Sequence, residues 1–157
     1  MGFGQGDQEM EKVPPLVVID ASVATKWFLP EEDSEKALRI RDEHAEGAID
    51  LAAPDLLYYE VTNALSYRPG LERIILREDI EDMYDIGIQL VAPSREVLTL
   101  AAEKAQALRV TAYDTAYLAL AEMLGTIAIT ADEELHRKAG RTRLTRLLAD
   151  MDRSWTL

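Results

Sequence analysis

Residues 16–20 read Leu-Val-Val-Ile-Asp, and this stretch decides the fold. The apolar run is short and mostly β-branched, and it is closed by an acid. That suits a strand buried on both faces, as in a parallel sheet. Working outward, Ser22 through Phe28 predicts a helix stopped by Pro30. Residues 33–46 set Ala37, Ile40, Arg41 and His44 three and four apart, the spacing of an amphipathic helix that Gly47 ends. Residues 49–52 read as a second strand before Pro54. Residues 55–67 read as a helix with Asp55 as N-cap. After Pro69-Gly70, residues 71–89 continue helically, in one piece or two, and 89–92 form a weak strand. Ser94 caps a helix through Arg109. Residues 113–124 form another, closed by Gly125. Residues 126–130 are a clear strand, and 132–139 a short helix. The stretch 143–148 fits an edge strand or a helix equally. Strands alternating with helices imply an α/β chain with a mostly parallel sheet covered on both faces. Such sheets bind ligands beyond the carboxyl ends of their strands.

The chain of 157 residues fits a single domain, expected over 15–157 behind a lead-in of residues 1–14. That lead-in lacks the apolar core of a signal peptide, and no run is long and apolar enough to span a bilayer, so no membrane partner is expected. The absence of cysteine excludes disulfides and thiolate chemistry and is compatible with a cytoplasmic location. Two histidines, His44 and His136, do not suggest a zinc site. A net charge of −12 argues against a surface coated for duplex nucleic acid. Against that background, residues 137–149 carry Arg137, Lys138, Arg141, Arg143 and Arg146 with no acid. The stretch reads either as a solvated face or as a strip facing a polyanion.

Four acids stand where strand ends and helices converge. Asp20 ends the first strand, Asp132 follows the strand 126–130, Asp114 opens the helix feeding that strand, and Glu60 lies inside the helix after Pro54. Singly, Asp20, Asp114 and Asp132 read first as ordinary helix-capping residues, and Thr111-x-x-Asp114 resembles a capping pair. Glu60 and Asp114 are harder to dismiss. Leu56, Leu57 and Ala64 share the face of Glu60, and Tyr117, Leu118 and Ala121 that of Asp114, with no basic residue on either. A buried carboxylate without a partner protonates or costs several kcal/mol. A bound cation resolves this economically. Carboxylates without Cys or His suit a hard ion, Mg²⁺ or Mn²⁺. Such an ion can activate water and neutralise a phosphate in in-line displacement. Ser22 and Thr130 can orient water or a carboxylate, or simply cap. Asn63, one turn after Glu60, can reach it or face solvent. Trp27 and Phe28 read as core. Tyr58, Tyr59 and Tyr67 read as core or as a subunit interface.

The segments 18–32 (VIDASVATKWFLPEE), 54–65 (PDLLYYEVTNAL), 111–122 (TAYDTAYLALAE) and 129–135 (ITADEEL) occur in the order seen in PIN-domain proteins. The chain most resembles the VapC toxins of bacterial and archaeal toxin–antitoxin pairs, from about residue 16 to the C-terminus. The four motifs together are specific; each alone is weak. The resemblance implies a three-layer α/β/α sandwich and Mg²⁺- or Mn²⁺-dependent cleavage of RNA. It makes Asp20, Glu60, Asp114 and Asp132 the metal-binding and catalytic acids, with Ser22 and Thr130 at pocket-lining hydroxyl positions. It also implies a homodimer and a VapB-like antitoxin that covers the acidic pocket, often with a basic residue inserted. Two departures are the long lead-in and Thr115, where Ala is common in the family.

Two other acid-pocket enzymes fit less well. A haloacid-dehalogenase-like phosphatase needs a second Asp where Ser22 stands, and a receiver domain needs paired acids near the first strand and a late lysine. A non-catalytic PIN module that binds RNA or protein is the alternative from another class, against which the presence of all four acids weighs.

Overall fold

The computed structural model describes residues 13–157, so most of the expected lead-in, residues 1–12, lies outside the described residues. The strand β1 (Leu16–Ile19) leads into the one-turn helix α1 (Ala21–Ala24), which tightens to a 3₁₀ turn at Thr25–Trp27. The helix expected over 22–28 is therefore shorter and tighter. The buried Trp27 explains this: its indole Nε1 donates to the carbonyl of Ala37 at 2.8 Å, tying the turn to α2 (Ser34–Ala45). There follow β2 (Asp50–Pro54), α3 (Leu56–Ser66), a single α4 (Arg73–Asp85) and β3 (Gln89–Val91). The chain ends through α5 (Arg95–Leu108), α6 (Ala112–Met123), β4 (Ala128–Thr130), α7 (Glu133–Ala139) and β5 (Thr145–Leu147). The ambiguous 143–148 stretch is an edge strand, because Ala128, Ile129 and Thr130 give it a parallel ladder to join. Asp55 precedes α3 but makes no cap bond, its backbone being already helical at φ −60°.

The sheet order is β3-β2-β1-β4-β5 and every pairing is parallel. The residues of β4, and all but the first of β1 and β2, are buried, as expected of strands covered on both faces. The fold is thus an α/β sandwich of the expected class. The order runs outward from β1 to β2 and β3, then reverses to β4 and β5. The crevice between the carboxyl ends of β1 and β4 is therefore the topological switch point, where open α/β sheets bind ligands. The central helix α6 packs against β1, β2 and β4, with every residue from Tyr117 to Ala121 buried. Thr115 is buried too, and its Oγ1 donates to the carbonyl of Ala101 at 2.6 Å. The departure from Ala there adds a bond between α6 and α5. Among the described residues no helix is long and apolar enough to cross a membrane.

His44 joins three elements. The Leu51 amide of β2 donates to its Nδ1 at 3.1 Å, so Nε2 carries the hydrogen and donates to the Ile86 carbonyl, beyond α4, at 2.9 Å. His44→Ala strands both backbone groups and is expected to cost about 1–3 kcal/mol. Urea denaturation should show a lower midpoint with an unchanged slope. An unmoved midpoint would make both bonds dispensable.

Candidate active site

Asp20 stands at the switch point because β1 ends there. The backbone at Asp20 is extended, as at an N-cap, yet its carboxylate makes no cap bond to α1. It turns across the crevice instead. Ser22 Oγ donates to Asp20 Oδ2 at 2.6 Å, and Thr130 Oγ1, from the end of β4, donates to the same oxygen at 2.8 Å. The amide of Ala131 donates to Ser22 Oγ at 2.9 Å and that of Asp132 to Thr130 Oγ1 at 3.1 Å. Both hydroxyls thus orient a carboxylate while also holding the β4–α7 turn. Asp20 is only 7% exposed and Thr130 1%.

The other acids come in from the helices. Glu60 on α3 is half-buried, and its Oε1 accepts from the Tyr117 hydroxyl of α6 at 2.7 Å. Asp114 lies in the first turn of α6, where its own amide donates to Thr111 Oγ1 at 3.2 Å. The capping-pair reading therefore holds: Thr111 accepts the Asp114 amide, and its hydroxyl also favours the ionised Asp114 carboxylate. Asp132 behaves as its capping alternative describes, its Oδ1 accepting from the Leu135 amide at 3.0 Å. Asn63 is exposed, and it is Tyr117 rather than Asn63 that reaches Glu60. In the sequence Tyr117 belongs to the apolar face of Asp114. The available signal was that a buried tyrosine normally finds a hydrogen-bond partner.

Burial is the chief cause of the electrostatics here. It pushes the carboxyls of Asp20, Glu60 and Asp114 above their ordinary range, against the lowering effect of the hydroxyls of Ser22 and Thr130, Tyr117, and Thr111 respectively. Mutual repulsion adds to it. The charge of Asp114 raises Asp20 and Glu60, that of Asp20 raises Glu60, and that of Asp132 raises Asp114. Burial also drives the Tyr117 phenol far upward, so it remains a donor. A counter-charge comes from α7: Lys138, paired with Glu134 at 3.3 Å, lowers Asp114. Of the basic stretch, Lys138 and Arg146 donate to the carbonyls of Arg109 and Thr156, whereas Arg137, Arg141 and Arg143 are exposed.

Among the described residues no three His, Asp or Glu side chains stand close enough to hold an ion as they are. Like-charge repulsion opposes such closure in the absence of a cation, and Asp132 is turned to its cap. The chemistry of the donors nevertheless fits a hard divalent cation: carboxylate and hydroxyl oxygens at a buried centre. Among the described residues none of the four acids is in an ion pair.

Comparison with known proteins agrees with the fold. The family described as PIN domain matches residues 17–141. A protein named Ribonuclease VapC3, from Pyrobaculum aerophilum, is 38% identical over 128 residues, which cover 78% of this chain and 93% of that protein. Two solved structures share the fold at low identity. A toxin–antitoxin complex from Klebsiella pneumoniae has a TM-score of 0.64 at 11% identity, covering 86% of this chain and 99% of that one. FitAcB from Neisseria gonorrhoeae has a TM-score of 0.64 at 12% identity, with the same coverage.

The raised carboxyls predict a pH-dependent cost. An acid raised in the folded state stabilises the fold least when ionised, so that stability is lost as pH rises through the raised value. With metal removed by EDTA, Asp20→Asn is therefore expected to melt above wild type at pH 7, each kcal/mol relieved raising the midpoint by about 2–4 °C in a domain this size. The advantage should vanish below the ordinary carboxylate range, where Asp20 is protonated in both states. A variant that melts lower at pH 7 would show that the two hydroxyl bonds to Asp20 outweigh its charge.

Proposed function

We propose, from the premise that this chain belongs to the PIN domain family, that it is a divalent-metal-dependent endoribonuclease and the toxin of a VapBC-type toxin–antitoxin pair. The observation that carries the proposal is the group of mutually repelling acids at the switch point, with Asp20 buried at its centre. The 38% identity to a protein named as a ribonuclease supports RNA as substrate, and the likeness to toxin–antitoxin complexes supports an antitoxin partner.

In this reading Asp20, Glu60 and Asp114 hold Mg²⁺ or Mn²⁺, and Asp132 completes the cluster or orients water. When bound, the cation supplies Lewis acidity: it makes water a nucleophile near neutral pH and offsets phosphate charge. The residues of the chain do the rest. Ser22 and Thr130 both donate to Oδ2 of Asp20, so neither hydroxyl engages Oδ1. Tyr117 occupies one oxygen of Glu60. Each therefore reduces the freedom of a donor before any cation arrives. A carboxylate oxygen left outside the ligand set would take the proton of the attacking water. Lys138 acts on Asp114, and the exposed Arg137, Arg141 and Arg143 of the same stretch would offer the RNA backbone positive charge. Lys138 and Arg146 are each held by a backbone carbonyl.

A homodimer, a VapB-like antitoxin with a basic residue entering the pocket, and a cytoplasmic location complete the proposal. The exposed Tyr59 and Tyr67 are suited to a subunit interface, whereas Tyr58 packs edge-on against Tyr84 with ring centroids 4.8 Å apart.

The test is cleavage of a labelled RNA. Wild type is expected to cut with Mg²⁺ or Mn²⁺ and to stop with EDTA. Asp114→Asn should lose on the order of 100-fold or more, since even the outer partners of metal ligands cost 10–100-fold. Binding of RNA without metal-dependent cleavage would favour the non-catalytic PIN module. Reversing the charge of Arg137, Arg141 and Arg143 should weaken RNA binding more at low salt than at high. A salt-independent result would return the stretch to an ordinary solvated face.

A further inference from the structure

We propose that Tyr117 is a positioning residue for the candidate metal site: its hydroxyl holds Oε1 of Glu60 and leaves Oε2 as the oxygen free to take a cation. The inference rests on the metal-binding reading above and deepens it.

The argument begins with register. Tyr117 follows Asp114 by three residues on α6, so the two side chains share a helical face. That face turns toward α3, and the phenol reaches Glu60 Oε1 at 2.7 Å. One helix therefore contributes an acid from its first turn and, one turn deeper, a donor aimed at the acid of another helix. Tyr117 is 1% exposed, so its ring is fixed by the core. Glu60 is half-buried on a long side chain with several rotatable bonds. Among the described residues its carboxylate takes no side-chain hydrogen bond except that from Tyr117, and no ion pair. A rigid donor thus holds a flexible acid. A phenylalanine would fill the same space, and only the hydroxyl explains why Glu60 is directed.

The arrangement parallels the one at Asp20, where two hydroxyls share Oδ2 and spare Oδ1. In both, one oxygen is committed to a neutral donor and the other is spared. A neutral donor can orient a carboxylate without cancelling the charge a cation requires, as a lysine or arginine in its place would. Outer partners of metal ligands act in this way, and their loss typically costs 10–100-fold in affinity.

The test is Mn²⁺ titration by isothermal calorimetry, with the melting temperature of each metal-free protein recorded beside it. Tyr117→Phe is expected to keep its fold and to raise the Mn²⁺ Kd about 10-fold or more. In a Glu60→Gln background the same substitution should change the Kd less than twofold, because the acid it positions has gone. A lowered melting temperature with an unchanged Kd would overturn the inference and leave Tyr117 a core residue. Failure of wild type to bind Mn²⁺ would overturn the metal reading and this inference with it, which separates the two. Should Tyr117→Phe not fold, Glu60→Asp takes its place. It retains the charge but withdraws the carboxylate from the phenol, and is expected to bind about as weakly as Glu60→Gln. Wild-type affinity in Glu60→Asp would overturn the inference.

Discussion

Two hydroxyls donating to one oxygen of Asp20 hold the functional end of this molecule together. Ser22 comes from the helix after β1 and Thr130 from the end of β4, so the pair bridges the crevice at which the strand order reverses. Each hydroxyl then accepts an amide of the turn beyond β4, Ala131 to Ser22 and Asp132 to Thr130. A parallel sheet leaves a gap at its switch point because the connections depart on either side. Here the gap is spanned by a network in which every hydroxyl both donates and accepts. The position of Asp132, and with it the start of α7, follows from how Asp20 is held.

The cost of the arrangement is electrostatic. Burial and mutual repulsion both raise the carboxyls of Asp20, Glu60 and Asp114, and the hydroxyls offset this only in part. A core made only for stability would replace these acids with apolar groups or pair them with bases, since an uncompensated buried charge is among the most expensive features a fold can carry. The molecule does neither. It buries Asp20 and half-buries Glu60 and Asp114 in a fold whose hydrophobic core includes Val18, Ile19, Leu57, Val61, Leu118 and Ala121. Local instability of this kind is characteristic of functional sites, where the missing interaction is supplied by something that binds. Lys138 eases Asp114 from a neighbouring helix but is itself shared with Glu134, so it moderates the repulsion without removing it.

Much of this was legible in the sequence, for reasons that differ between residues. The run Leu16–Ile19 was readable because a strand covered on both faces needs no alternation, and its closing acid marked the strand end at which ligands bind. Glu60 and Asp114 were readable because an acid on an apolar helical face conflicts with the face around it. Asp20 was ambiguous, since an extended acid before a helix is what a cap looks like. Only the direction of its side chain, across the crevice to Thr130, removes the capping reading, and that direction depends on a strand more than a hundred residues away. The opposite holds at Asp132, where the local reading was correct as far as it went. The edge strand Thr145–Leu147 was undecidable locally because three residues form a strand only when a neighbour offers a ladder. Lys138 and Tyr117 were invisible as partners for the same reason: helical spacing predicts which residues share a face, but not which face of another helix lies opposite.

Of the four acids, Asp132 differs from the rest physically as well as in sequence. Its Oδ1 satisfies the Leu135 amide at the start of α7, so recruiting that oxygen to another role would leave a helix N-terminus uncapped. At Asp20 and Glu60 the side-chain donors are neutral hydroxyls bonded to a single oxygen of each carboxylate, so the other oxygen has no helix end to cap. Its influence is also the most remote: it raises Asp114, but does not figure in the shifts of Asp20 or Glu60. The acids therefore form a graded set. Asp20 is fixed by two hydroxyls at the switch point, Glu60 by one from the core, Asp114 by its place on the first turn of α6, and Asp132 by a structural duty. A cation drawn to this centre would meet its firmest donors at the sheet and its most conditional one at the rim.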